Sequence, residues 1–147
     1  MKRNHSLWLA AALLAVAAGV MVAHSLAGDG QDHEMKEVTV EGILIDSKCY
    51  GMNPDNWASD HMTPKGDMAN CAQACAQMGI PVGVLEGGKP GGDVYLLVTP
   101  SMALAEHMAK EVKVVGMATF EGAITPSKVF VKNDKGKWEE VKVGTMM

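Results

Sequence analysis

Arginine occurs once in these 147 residues, at Arg3, and the whole chain carries 13 basic against 17 acidic residues, a formal charge of −4. Loss of residues 1–27 would remove Lys2 and Arg3 and leave 11 basic against 17 acidic residues, a charge of −6 with no arginine. Specific nucleic-acid binding needs a basic footprint and usually bidentate arginine, so no nucleic-acid partner is expected. The same absence disfavours a dedicated phosphate or carboxylate clamp. The chain also lacks the GxSxG, HExxH, P-loop and dinucleotide signatures of common enzyme classes. It has no CxxCH for covalent haem and no CxxC in a thioredoxin-like βαβ setting. There is no internal repeat and no low-complexity tract. No pair of carboxylates stands at catalytic spacing. Asp46, Asp55, Asp60 and Asp67 are most simply turn and cap residues.

One long apolar run exists, from Leu7 to Val22. It follows a basic start and precedes small residues, which are the three parts of a secretory signal. Small-x-small cleavage positions follow Ser25 and Ala27. Residues 1–27 are therefore expected to be a signal peptide, and the mature protein to be periplasmic or secreted from a bacterial cell. The alternative is an uncleaved anchor, because the run nearly spans a bilayer if His24 sits at the interface. No cysteine follows the run, so lipoprotein processing is not expected. No other stretch is long enough to cross a membrane, which leaves the cleaved form with no membrane partner. Residues 28–35 read as a flexible polar linker, and residues 36–147 as one domain.

Within that domain, EVTVEGILID alternates as a strand. Lys48 to Gly66 is rich in Gly, Pro, Asn and Asp and is expected to be irregular. Asp67 is placed to cap a helix from Met68 to Met78, which Gly79 ends. Pro81 to Glu86 and VYLLVT, ending at Thr99, are two further strands. Thr99 and Pro100 predict a short helix over Ser101 to Lys110. Glu111 to Phe120 is a fourth strand, and NDKGK joins Ser127–Lys132 to Trp138–Val143 as a hairpin. Strands dominate and no βαβ repeat occurs, which argues against a doubly wound sheet. The expectation is a mainly β (α+β) domain. Its architecture is an OB-like barrel of five or six strands, with the cysteine-bearing helix inserted between strands 1 and 2 and a short helix after strand 3.

Cysteine is scarce: Cys49, Cys71 and Cys75 are the full complement. An odd count in an oxidising compartment leaves a thiol unpaired unless it pairs between chains or binds a metal. Cys71 and Cys75 are four apart and share a helix face. Cys49 follows the first strand, and His61 lies in the loop between. Three sulfurs and an imidazole within 27 residues suit tetrahedral zinc, and thiolate-rich sites also suit copper(I). The competing reading is one structural disulfide, Cys49 with Cys71 or Cys75, in a protein-interaction module without metal. A bond between Cys71 and Cys75 would strain a regular helix. A cysteine nucleophile with His61 as base ranks third, and the domain is read as non-enzymatic.

Ten methionines follow position 27, and Met52, Met62, Met68 and Met78 flank the cysteines. Thioethers favour copper(I), whereas the plainer account is that methionine fills irregular cores. Met62, beside His61, is the best candidate for an extra ligand. His33 reads as a linker residue. His107 is placed near a helix C-terminus, where the dipole favours a cation. Trp57 either covers an apolar pocket or plugs the barrel end.

The runs GILIDSKC, DHM, NCAQACAQMGIPVGVLEGG, VYLLVT and EVKVVGMATFEG together resemble an uncharacterised family of small exported bacterial OB-like domains. Its pattern is a strand ending in D-S/T-x-C, a loop histidine, and C-x-x-x-C on a helix that ends in Gly. The resemblance spans Val38 to about Phe120 and implies an OB-like β-barrel in which Cys49, His61, Cys71 and Cys75 belong together. It implies no activity. This chain differs in a longer loop between Cys49 and His61, a Gly-rich turn from Gly87 to Gly92 and an additional terminal hairpin. The combined expectation is an exported domain that binds zinc or copper through these four residues. Another periplasmic protein is a further candidate partner.

Overall fold

The computed structural model describes residues 35–144. The expected signal peptide and nearly all of the linker lie outside those residues. Eleven elements follow in chain order: β1 (Lys36–Asp46), α1 (Ser47–Met52), β2 (His61–Thr63), β3 (Gly66–Met68), α2 (Cys71–Gln77), β4 (Val82–Glu86), β5 (Val94–Leu97), a 3-10 helix (Ser101–His107), β6 (Glu111–Phe120), β7 (Ala123–Lys132) and β8 (Trp138–Val141).

Six strands form one sheet in the order β5-β4-β1-β6-β7-β8, and a parallel pairing of β5 with β7 joins Leu96 to Ala123 and Leu97 to Ile124. Five of the strands thereby make a ring of hydrogen bonds, with β8 attached outside it. All pairings other than β5 with β7 are antiparallel. The long strand β1 makes the ring possible. Its first part pairs with β6, from Lys36 opposite Ala118 to Ile43 opposite Glu111. Its last part pairs with β4, from Gly42 opposite Glu86 to Asp46 opposite Val82. Gly42 sits where the two pairings overlap, and a Cβ there would collide with the backbone of Leu85. Gly116, at a bulge in β6, is crowded in the same way by Thr125 and Pro126. Glycine at these two positions lets the strands bend and approach closely.

The alternation read in the sequence places one apolar row inside the ring. Val40, Leu44, Val84, Val112, Val114, Ile124, Val129 and Val131 pack there with Val82 and Leu97. Ala72 and Ala76 of α2 and Leu104, Ala105 and Met108 of the 3-10 segment extend the same core. Ser101 Oγ donates to Ala76 O at 3.1 Å and ties the 3-10 helix to the end of α2. The insertion between the first two long strands, β1 and β4, carries α2 as expected.

Several boundaries differ from the sequence expectation. The segment Lys48–Gly66 is not wholly irregular. Asp46 caps α1, and His61–Thr63 pairs with Gly66–Met68 as a hairpin around Pro64-Lys65. Pro64 opens this turn and Gly66 closes it at φ +109°, a conformation that favours glycine. The hairpin absorbs Asp67 and Met68, so Asp67 caps nothing and α2 begins at Cys71. Asn70 precedes α2 in the left-handed region at φ 52°. The C-terminal end of α2 follows the sequence reading. Gly79, at φ +87°, donates to Ala76 O, and Ile80 N–H donates to Cys75 O. This is a Schellman motif, which satisfies carbonyls that the helix would otherwise leave open. The segment after Pro100 is a 3-10 helix that stops at His107 rather than an α-helix reaching Lys110. Among the described residues no helix is long and apolar enough to cross a membrane.

Candidate metal centre

Asp46 is the last residue of β1 and is fully buried. Its Oδ1 accepts from Lys48 N–H at 3.0 Å and Cys49 N–H at 3.1 Å, so it caps α1. That cap fixes Cys49 in the first turn. Ser47 anchors the same turn to the chain before β4, because its N–H and Oγ both donate to Pro81 O, at 3.1 and 2.7 Å.

His61 opens β2 and is buried to 1% exposure. Asn56, also buried, holds this part of the hairpin against α1. Its Oδ1 accepts from Met62 N–H at 2.9 Å, and its Nδ2 donates to Met62 O at 3.2 Å and Cys49 O at 3.3 Å. One amide side chain therefore spans the backbones of both segments that present Cys49 and His61. Cys71 and Cys75, both buried, face inward from α2, whose first turn is held by Ala72 N–H donating to Ser59 O.

These elements bring the side chains together. Ligand atoms of Cys49, His61 and Cys71 lie within 4.8 Å of one another, and so do those of Asp46, Cys49 and Cys75. The Cys, His and Asp residues are close enough to hold a metal ion, and all three cysteines are free. The disulfide that the competing reading requires is not formed. Cys49 belongs to both groups and His61 lies next to two sulfurs. The notable addition is Asp46, which the sequence reading left as a turn or cap residue. It is a cap through one oxygen, while its second oxygen turns into the cluster. The one sequence signal was its place directly before Ser47-Lys48-Cys49 in the strand-end pattern: buried strand, carboxylate, then thiol.

The electrostatics set two buried acceptors against each other. His61 Nε2 lies 3.0 Å from Ala58 O, so Nε2–H donates there and Nδ1 is left to face Asp46 Oδ2 at 3.4 Å. Both atoms are buried and neither finds a hydrogen-bond partner. Two facing acceptors repel unless a proton or a metal ion lies with them. An imidazole whose outer N–H is held by a carbonyl is also the arrangement that orients a metal-binding histidine. Burial pushes the Cys49 thiol well above its ordinary range, and the Asp46 carboxylate beside it pushes it further. Burial and then the Asp46 charge raise Cys75 as well, with contact to Cys49 acting in the opposite sense. Left alone, these two thiols hold their protons and are poor nucleophiles. A cation bound among them would favour their thiolate forms.

The remaining candidates lie elsewhere. Asp55, Asp60 and Asp67 are exposed, and Asp60 accepts from Asn70 N–H in a turn role. Trp57 is partly exposed rather than plugging the ring. His107 is not the favoured cation expected at a helix end: burial first, then Lys110, push it down, with Glu106 opposing. The methionines do not fill the core near the cysteines. Met52, Met62, Met68 and Met78 are each more than half exposed, and each sits on or beside an element that carries a cluster residue. Met68 lies opposite His61 in the hairpin register. No family model, curated protein or solved structure matches the chain.

Proposed function

We propose that this chain is a small exported domain on an OB-like barrel that binds a transition metal through Cys49, His61, Cys71 and Cys75, with Asp46 beside them. The observation that carries the metal reading is the buried cluster itself. Three free thiols meet an imidazole nitrogen and a carboxylate oxygen that have no partner of their own. Zinc is the ion that best matches mixed sulfur, nitrogen and carboxylate donors, since a carboxylate is a poor ligand for copper(I). Its role would be to fasten the inserted segment, from α1 to α2, against the end of β1. The OB-like assignment is supported by the strand ring β1-β4-β5-β7-β6 with its parallel β5–β7 contact, and by the short helix between β5 and β6. Export is supported by the basic start and apolar run of residues 1–27. The resemblance to uncharacterised exported domains belongs to the same proposal.

Copper(I) is the second reading, favoured by the four exposed thioethers around the cluster. In that case the domain carries copper or protects against it. One experiment separates the readings. Protein isolated from its native compartment without chelator is analysed for metals, and thiols are counted before and after chelation. Bound zinc with three thiols that react only after chelation supports the first reading. Bound copper selects the second. No metal and a single reactive thiol would replace both with a disulfide-stabilised interaction module.

A further inference from the structure

We propose that the cluster is a reversible redox site, in which Cys49 forms a disulfide with a cysteine of α2 and the metal is released. The oxidant is a low-molecular-weight disulfide. This rests on the metal-binding reading and deepens it, because metal and disulfide then alternate as two states of one site.

The first argument is placement. The Cys49 sulfur lies within 4.8 Å of the Cys71 sulfur and also of the Cys75 sulfur. A disulfide needs about 2.05 Å, so closure takes a movement of less than about 3 Å. Cys49 sits on α1, which has no buried residue and adds nothing to the core, so a small adjustment of this helix disturbs no packing of the ring. Cys71 and Cys75 share one helix, where a bond between them is strained. Cys49 is therefore the common partner, and one thiol is left over. The second argument is access. Cys49 is the one partly exposed cysteine, whereas Cys71 and Cys75 are 6% and 5% exposed. Exchange begins at the sulfur that an external disulfide can reach.

The chemistry balances in two steps. The Cys49 thiolate attacks one sulfur of the external disulfide, whose S–S bond breaks, and one small thiolate leaves. A thiolate of Cys71 or Cys75 then attacks the Cys49 sulfur and expels the second small thiolate. Two protein thiolates have lost two electrons and gained one S–S bond, and the external disulfide has been reduced to two thiolates. Loss of donors is the third argument. Thiolates are the metal ligands, so the bond removes two of the five donors that converge here. One thiolate, His61 and Asp46 remain, and they hold the ion more weakly. The covalent link from α1 to α2 then takes over from the ion in fastening the insertion.

The test couples zinc to thiols. Reduced full-length protein is loaded with zinc, freed of excess metal and treated with excess oxidised glutathione. Released zinc is read with a chromophoric indicator, thiols are counted, and the new bond is located by peptide mass spectrometry. Zinc release in step with a fall from three thiols to one, a bond that includes Cys49, and recovery of zinc binding on reduction are expected. Cys49→Ser should form no bond within the chain. Retention of zinc and of all three thiols, a bond between Cys71 and Cys75, or glutathione left on Cys49 with no second step would each overturn the redox site and leave the metal reading standing. Failure of the reduced protein to take up zinc would overturn both. The wild-type bond position decides the matter by itself if the variant fails to fold.

Discussion

Asp46 does two jobs through two oxygens, and substitution can separate them. Asparagine keeps an acceptor for the Lys48 and Cys49 N–H groups but removes the charge that faces His61 and the thiols. Asp46→Asn should therefore keep the melting temperature of the metal-free protein close to that of the wild type. Zinc affinity, measured by competition with a chromophoric chelator, should fall by about 10- to 100-fold, the usual effect of altering groups around a metal. Asp46→Ala also loses the cap and should cost about 0.5–2 kcal/mol in denaturant unfolding. The thiols give a pH signature with a definite sign. Cys49 and Cys75 are raised above the ordinary thiol value of 9.0. A raised value in the fold means that the native state favours the protonated thiol. That contribution is fully present below about pH 9 and fades as pH climbs toward the folded-state values. The metal-free protein should thus lose stability on the alkaline side, and Cys49→Ser should flatten the loss. The zinc form should behave in the opposite way and weaken in acid, because protons compete with the metal for the same atoms. Thermal melts across pH, with and without zinc, check both slopes.

The elements that carry the site differ in how plainly the sequence announces them. β1, β4, β6 and the Asn133–Lys137 hairpin turn were legible because apolar alternation or turn residues run long enough to be read. The Gly79 helix end was legible because one residue type dominates that position. The hairpin of β2 and β3 was not legible. Three residues per strand are too few to show a period, and Pro64 with Gly66 looked like loop composition rather than the turn of a hairpin. Once that hairpin is missed, Asp67 looks like a cap and α2 gains an extra turn. The convergence of Cys49, Cys71 and Cys75 was legible from spacing, whereas the role of Asp46 depends on a burial that spacing does not reveal. Asn56 was missed for the same reason, and it is the strongest element-scale test. Asn56→Ala removes three hydrogen bonds that hold α1 to the hairpin. Cys49 O keeps the Asn53 N–H, but leaving the Met62 N–H and C=O without Asn56 should cost about 1–3 kcal/mol in denaturant unfolding and weaken zinc binding in step. Asn56→Asp, which keeps only the acceptor for Met62 N–H, should fall between Ala and wild type.

At the scale of the molecule, the ring and the insertion are stabilised differently. The ring closes on a continuous aliphatic core that runs from β1 through β4, β6 and β7. The insertion contributes only Ala72 and Ala76 to that core, and its other buried side chains are chiefly the cluster residues and Asn56. Metal binding should therefore carry much of the insertion's stability, since ligand binding and local folding are coupled there. On chelation, hydrogen exchange should accelerate across residues 47–77 while β1, β6 and β7 keep their protection. Uniform loss across the ring would mean that the metal holds the whole domain rather than its insertion. The central claim is that the ion sits among the sulfurs, and X-ray absorption at the zinc edge tests it most directly. Measured on protein as isolated, with no metal added, the account predicts a shell dominated by sulfur at about 2.3 Å with nitrogen or oxygen at about 2.0 Å. A shell of oxygen and nitrogen alone, or no edge at all, would contradict it.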